Sequence, residues 1–405
     1  MKRRDFLRLA GTAGAAAVFP GLERGGQAAT RIGSTPVQGM GQLPDATFRA
    51  RLARAAELAA QDGLSALFCE PSTNFAYLAG GSFGRSERLI ALIIPTSSIN
   101  PFFVAPQFEV ERVLRTVRPV GEVRGWKEEQ DPFSLIADAL AVLRPGRIGV
   151  EPSARFGMAQ RLQGALPSWE LADATSIFEP MRIIKSETEI GFIRRAVSIT
   201  ETSIAATFAS LEAGVSDREV AAYLSGQMRE RGVSGGGLVQ FGPTSALPHG
   251  GTVGRRLEHG MPVLIDAGCR VQGYTSDITR MHFFGEEPGP EYREVFNTVF
   301  SAQTAAFQAA RPGMPFQQLD RIGRQVIREA GYGEYFTHRL GHGMGMDGHE
   351  PPYLVEGNRR ALEPGMVFTI EPGIYLPGRW GVRIEDDFVV RQQRLEPLST
   401  RLAPI

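Results

Sequence analysis

A chain of 405 residues exceeds what one ordinary core supports and points to about two domains, each able to bury a substantial apolar interior. Lysine plus arginine equal aspartate plus glutamate at 44 each, so the overall charge offers no attraction for nucleic acid or an anionic membrane surface. Cys69 and Cys269 are the only cysteines, which excludes a disulfide-stapled small scaffold; both read as free, buried thiols.

The chain opens MKRRDFLRLAGTAGAAAVFPG: a basic pair, Arg3 and Arg4, then Phe6 and Leu7, then a weakly apolar Ala/Gly stretch. No apolar run approaches the roughly 20 residues a bilayer-crossing helix needs, so stable membrane insertion is not expected. The order of features resembles a twin-arginine export signal, cut after the small residues near Ala28 or Ala29. That resemblance implies a periplasmic or extracellular protein. The other reading, a basic amphipathic first helix in a cytoplasmic protein, is weakened by Gly11 and Gly14.

From Phe48 onward, helical and strand-like patterns alternate. Arg49 to Gln61, Glu109 to Thr116 and Phe133 to Leu143 read as helices. Ser65 to Cys69, Ala91 to Ile94, Phe102 to Val104, Arg147 to Val150 and Trp169 to Ala172 read as strands. This predicts an α/β domain ending near Pro180. Helices are then expected over Glu187 to Glu212, over Ser216 to Arg231 with Ser216 as N-cap and Glu219 three places on, and over Tyr292 to Ala310. Strand-like runs follow at Val263 to Asp266, Thr275 to Phe284, Val367 to Glu371 and Val382 to Val390. The expected architecture of this half is α+β, with helices over a curved, mostly antiparallel sheet. The divisions are a signal segment 1–29, a flexible leader 30–47, an α/β domain 48–180 and a second domain 181–405.

Five candidate metal ligands lie in the second domain: Asp266 in VLIDAG, Asp277 in YTSDIT, His342 in LGHGMG, Glu371 in TIEPG and Glu385 in VRIEDD. Singly each is weak evidence, since an acid at a strand end is usually solvated. As a set they are informative. Convergence of four carboxylates requires protonation or compensating cations, and two divalent ions bring four positive charges to meet four negative ones. Oxygen-rich ligation with one imidazole suits Mn²⁺, with Co²⁺, Zn²⁺ or Fe²⁺ as alternatives, in open rather than closed structural sites. His338 lies four before His342, but Arg339 stands where a helical zinc motif needs Glu, and Gly341, Gly343, Gly345 and Gly348 oppose a helix while letting backbone approach a metal. Arg383 and Glu385 alternate onto one strand face, where the guanidinium can orient the carboxylate. Asp386 and Asp387 are left out of the site, at least one being expected to face solvent. His259 and His282 are expected at the surface or satisfied by neighbours.

The ordered segments LPHG, DAG with SDITR, HRLGHGMG, GHEPP, TIEPGIY and GVRIEDD closely resemble aminopeptidase P and prolidase, the pita-bread metallopeptidases, over roughly Arg182 to Val390. The resemblance extends less specifically to a creatinase-type N-terminal domain. It implies a Xaa-Pro aminopeptidase or dipeptidase acting on small peptides, and a homodimer. In that pattern Asp277 and Glu385 bridge two ions, Asp266 holds one, and His342 with Glu371 holds the other. Glu371 is the implied general base, His249 and His349 bind substrate and stabilise developing charge, and His338 and Arg383 support the site from behind or touch substrate. Two other functions fit a related shell: a creatinase-like hydrolase or lyase of small non-peptide compounds, and a non-catalytic binding protein. Both are disfavoured by the intact ligand set.

Overall fold

The structure is a computed structural model that describes residues 41–405 except 98, 119 and 120. The twin-arginine segment and most of the expected leader therefore lie outside the described residues. The described chain is already packed at Leu43, which contacts core on both sides of the molecule, and the first helix starts at Asp45, earlier than the pattern suggested.

The N-terminal half runs α1 (Asp45–Gln61), β1 (Ala66–Cys69), α2 (Thr73–Ala79), β2 (Ala91–Pro95), β3 (Phe102–Pro106), α3 (Val110–Thr116), β4 (Glu122–Trp126), α4 (Pro132–Leu140), β5 (Arg147–Val150), α5 (Phe156–Ala165), β6 (Glu170–Asp173) and α6 (Thr175–Ile183). Its six strands form one mixed sheet in the order β4-β3-β2-β1-β5-β6. Alternation sorts the strand residues onto two faces. Leu67, Cys69, Leu92, Ile94 and Phe103 join α1 and α6 in one core, whereas Ala66, Phe68, Ile93, Phe102 and Val104 join α4 and α5 in the other. Burial on both faces explains why these strands read as continuous apolar runs. Pro180 lies inside α6 rather than ending the half.

The second half continues α7 (Glu187–Ala209), α8 (Asp217–Glu230), β7 (Ser234–Phe241), β8 (Pro262–Val271), β9 (Tyr274–Thr275), β10 (Ile278–Phe283), α9 (Pro290–Ala309), α10 (Phe316–Glu329), β11 (Gly341–Gly343), β12 (Glu350–Leu354), β13 (Val367–Ile370), β14 (Gly373–Leu376), β15 (Trp380–Arg383), β16 (Asp386–Val390) and β17 (Leu395–Pro397). Both α7 and α8 start in full capping boxes, Ser186 with Glu189 and Ser216 with Glu219. The strands form an antiparallel sheet β10-β8-β7, a second antiparallel sheet β12-β11-β13-β16-β17 and the hairpin β14-β15. A bridge between Thr279 and Glu385 joins the first sheet to the second.

Two of the expected strands are interrupted. Thr275 to Phe284 is not one strand but is broken at Ser276 and Asp277, and Val382 to Val390 is broken at Ile384 and Glu385. The interruptions turn each acid out of its ladder. β7 escaped the pattern because it begins Ser-Gly-Gly-Gly, yet it pairs with β8 along its length. A Cβ at Gly237 would sit 2.3 Å from the Asp266 carbonyl, so close strand approach demands glycine there.

The two halves are clamped by Arg51 of α1. Its buried guanidinium donates to the Tyr77 carbonyl at 2.8 Å, the Glu189 carboxylate at 2.8 Å and the Tyr274 hydroxyl at 3.1 Å. Removing one member of a buried ion pair strands the other charge, at a cost of about 3–5 kcal/mol. Arg51→Met should therefore lower unfolding free energy by about that amount in urea titration, while Arg54→Met, which breaks an exposed pair with Glu57, should change it by less than about 0.5 kcal/mol. Equal effects of the two substitutions would remove the clamp.

Candidate metal centre

The five predicted ligands meet. They line one cavity of about 370 Å³ together with His249, His338, Arg339, His349 and Arg383. Asp266 lies mid-strand on β8, whereas Asp277, Glu371 and Glu385 occupy the breaks between β9 and β10, β13 and β14, and β15 and β16. His342 is the centre of β11, at a register shift against β12.

The donor atoms fall into overlapping groups whose members all lie within 4.8 Å of one another: Asp266 with Asp277 and Glu385, His342 with Glu371 and Glu385, and Asp277 with His342 and His349. Asp277 and Glu385 each belong to two groups. His342 Nε2 stands 3.2 Å from Glu371 Oε1 and 3.8 Å from Asp277 Oδ2.

Electrostatics agree with a cation-binding role for the cavity. Burial, then the neighbouring carboxylates beginning with Glu385, hold Asp277 well above the usual carboxylate range. The same causes raise Glu371, and Glu385 is pushed up to about 7 by burial and by Asp266. Burial and the neighbouring His349 depress the His342 imidazole to about 3, so it stays in the neutral form that ligates metal. A pit of carboxylates that resist ionisation until positive charge arrives, with a neutral imidazole beside them, fits two divalent cations.

Support comes from residues on several elements. Gln303 of α9 is fully buried and its amide donates to the Ile370 carbonyl at 3.1 Å, the Ile384 carbonyl at 3.4 Å and Asp386 Oδ2 at 3.0 Å. One side chain thus pins the residues immediately before Glu371 and Glu385. Thr279 pairs with Asp266 across the sheet and donates to Glu385 Oε2 at 2.6 Å. From α10, Asp320 accepts from the Leu340 amide at 3.0 Å, and Arg324 donates to the His338 carbonyl at 2.9 Å, setting the segment that leads into His342. The loop carrying His349 is held by the N-terminal half and its connection: Thr73 and Arg182 each donate to Asp347 at 2.6 Å, and Lys185 donates to Glu350 at 2.7 Å.

His249 and His349 are exposed at the cavity, His349 with its ring stacked on His342 at 3.7 Å between centroids. His338 lies behind them, with Nε2 2.8 Å from the Tyr375 hydroxyl, and burial lowers its pKa to about 4. Arg383 lies within ion-pair distance of Glu385, as strand alternation implies, but has closer partners. Its Nη2 donates to Asp266 Oδ2 and its Nε to Thr279 at 3.1 Å, leaving Glu385 at 3.9 Å. Arg383 also donates to the Pro248 carbonyl at 3.2 Å, which tethers the His249 loop.

At least one of Asp386 and Asp387 is expected from the sequence to face solvent, but both are fully buried. Asp386 accepts from Arg280 at 2.7 Å and Ser399 at 2.7 Å, and Asp387 accepts from the Asp277 amide at 3.1 Å. The glycines around His342 also serve differently from the expectation. A Cβ at Gly341 would lie 2.1 Å from the Thr369 carbonyl and one at Gly343 2.5 Å from the Pro351 carbonyl, so they admit neighbouring strands rather than a metal. His259 and His282 pack on Phe284 and Phe208, each at 5.2 Å between centroids, outside the cavity. The sequence reading missed Gln303, Tyr375 and the supporting role of Thr279. Tyr375 and Thr279 lie within TIEPGIY and SDITR, but Gln303 sits on a helix with no local mark.

With this geometry in hand, similarity to known proteins is decisive. Residues 191–392 match metallopeptidase family M24, and residues 51–184 match the creatinase/prolidase N-terminal domain. The chain belongs to metallopeptidase family M24. It is 39% identical over 329 residues to an uncharacterized peptidase of Staphylococcus aureus, covering 80% of this chain and 92% of that one. Among solved structures it resembles the dipeptidase PepE of Mycobacterium ulcerans (TM-score 0.83, 35% identity, 89% of this chain and 98% of that chain). It also resembles the prolidase of Thermococcus sibiricus (TM-score 0.83, 30% identity, 90% and 99%) and the X-Pro aminopeptidase of Thermotoga maritima (TM-score 0.74, 30% identity, 84% and 96%). As an M24 member with a creatinase-type N-terminal domain and a pita-bread catalytic domain, it is a metal-dependent hydrolase of the dinuclear class.

Two outcomes follow for this centre. In metal-free protein, Glu385→Gln should raise the melting temperature by a few degrees through relief of carboxylate repulsion, yet abolish the rise that divalent ions give the wild type; a lower melting temperature for metal-free Glu385→Gln would contradict the repulsion account. Gln303→Leu should weaken divalent-ion affinity roughly 10- to 100-fold in isothermal titration, as loss of groups that orient ligands does elsewhere.

Proposed function

We propose that the enzyme is a dinuclear-metal exopeptidase that hydrolyses the Xaa-Pro amide bond at the N-terminus of peptides or in dipeptides. The observation that carries this is the pair of donor groups sharing Glu385, with imidazoles of His249 and His349 at the same cavity. The likeness to a dipeptidase, a prolidase and an X-Pro aminopeptidase supports the choice of substrate.

Asp266, Asp277 and Glu385 would hold one cation, and His342, Glu371, Glu385 and Asp277 the other. Such a pair supplies Lewis-acid polarisation of the scissile carbonyl and makes water acidic enough to react near neutral pH. Glu371 takes the proton from that water and passes it to the departing proline nitrogen; burial, which raises its proton affinity, suits it to this exchange. His249 and His349 donate to the substrate oxygen as it gains charge. Arg383 and His338 keep the cavity wall in place through their shared partner Tyr375, at 3.2 Å and 2.8 Å.

Mn²⁺ is the proposed ion, on the grounds of a donor set rich in oxygen with one imidazole; Co²⁺, Zn²⁺ and Fe²⁺ share that preference in part. The Arg3-Arg4 opening supports export to the periplasm or beyond, and the family likeness supports a homodimer. Cell fractionation and light scattering address these two points.

Purified protein supplied with Mn²⁺ should cleave Xaa-Pro peptides, and Glu371→Gln should lower kcat by roughly 10²- to 10⁴-fold. A variant rate equal to wild type would sink the role given to Glu371.

A further inference from the structure

Four of the six histidines, His249, His338, His342 and His349, line the metal cavity, and a neutral imidazole has one nitrogen that donates and one that accepts. Which nitrogen carries the hydrogen follows from the hydrogen bonds the ring makes. His342 Nδ1 lies 3.1 Å from the Gly343 carbonyl, which can only accept, so the hydrogen sits on Nδ1. Its Nε2, 3.2 Å from Glu371 Oε1, keeps the lone pair that a cation needs. His338 is arranged in the same way: Nδ1 donates to the Arg339 carbonyl at 2.8 Å, and Nε2 accepts from the Tyr375 hydroxyl at 2.8 Å.

His349 is the opposite case. Its Nδ1 is 3.2 Å from Nη2 of Arg339, and a guanidinium has donors but no acceptor. Nδ1 must therefore offer its lone pair, and the hydrogen of the neutral ring sits on Nε2. Among the described residues no other hydrogen bond reaches this ring, so Nε2 is left for a ligand. Arg339 is itself held in place. Its guanidinium lies over the Tyr353 ring, 4.2 Å from the centroid, and Tyr353 is the β12 residue opposite His342. This matters for the cations. His349 falls in a donor group with Asp277 and His342, and its ring stacks on that of His342 at 3.7 Å between centroids, close enough to compete for an ion. With one nitrogen's lone pair engaged by Arg339 and the other nitrogen carrying the hydrogen, neither can ligate.

We propose that Arg339 is a positioning residue that fixes His349 as its Nε2-H tautomer, which keeps that ring out of the metal shell and leaves it as a hydrogen-bond donor to substrate. The tautomer stands on the hydrogen bonds alone, whereas the donor role rests on the peptidase reading above. Two stacked imidazoles thus take different work. The Gly343 carbonyl makes His342 a lone-pair ligand, and the Arg339 guanidinium makes His349 an N-H donor. A donor is what a substrate oxygen gaining negative charge requires.

The test labels the histidines with ¹⁵N and reads their ring nitrogens by long-range proton-nitrogen NMR, metal-free and after addition of Zn²⁺, which is diamagnetic. The variant His349→Gln identifies the His349 signals. In wild type, His349 should show the Nε2-H pattern with and without Zn²⁺, while His342 shows the Nδ1-H pattern and its Nε2 takes on a metal-bound shift. Arg339→Met should leave His349 a mixture of tautomers and let its ring take on a metal-bound shift; Arg339→Lys, which keeps an N-H donor, should restore the single form. On an Xaa-Pro dipeptide with Mn²⁺, Arg339→Met should lower kcat roughly 10-fold with little change in KM, less than the ~10²- to 10³-fold of deleting a donor outright, and Arg339→Lys should recover most of it. An Nδ1-H pattern for His349 in wild type, or a metal-bound shift there, would overturn the assignment, as would an unchanged pattern in Arg339→Met. Because the spectra need no substrate, a protein with the Nε2-H pattern that cleaves no Xaa-Pro peptide loses the peptidase reading and keeps the tautomer. Should Arg339→Met not fold, the wild-type spectra still decide the matter.

Discussion

Four carboxylates share a cavity of about 370 Å³, and their mutual repulsion is the constraint around which the second half of the molecule is built. Asp277 and Glu385 belong to two donor groups each, so neither can move without disturbing both. Burial intensifies the conflict because low dielectric strengthens each like-charge contact. The protein meets part of it with fixed donors. Arg383 faces Asp266, and Thr279 bonds Glu385. The remainder calls for divalent cations, which is the chemistry of the family to which the chain belongs.

Holding charged groups against repulsion requires a stiff frame. Asp277, Glu371 and Glu385 stand where strands break, and a broken strand end has lost ladder bonds that would otherwise fix it. Gln303 compensates by binding the carbonyls just ahead of Glu371 and Glu385. On the other side, α10 grips the approach to His342 through Asp320 and Arg324. These supports come from helices packed behind the sheets, so the layering that buries apolar surface also stiffens the site.

The N-terminal half supplies none of the proposed metal ligands, yet it is not remote from the chemistry. Thr73 bonds Asp347 two residues before His349, and Arg182, at the end of that half, reaches Asp347 and Glu350 on both sides of the histidine. The Arg51 clamp fixes the relative placement of the two halves. Position of the first half is thereby transmitted to the exposed imidazole at the cavity.

Much was readable from residue order alone. The capping box at Ser216, the alternating apolar runs of the first sheet and the full set of donors at Asp266, Asp277, His342, Glu371 and Glu385 are local properties, carried by neighbours a few positions apart. Other features depend on partners distant in the chain. A Gly-rich segment becomes β7 only because β8 pairs with it, Asp386 and Asp387 are buried only because Arg280, Ser399 and the Asp277 amide receive them, and Glu385 leaves its strand only where Thr279 bridges to it. The sequence by itself determined which chemical groups are present and their local backbone preferences. Tertiary structure decided which of them touch, because electrostatic and hydrogen-bonding energies depend on distances in space that separation along the chain does not specify.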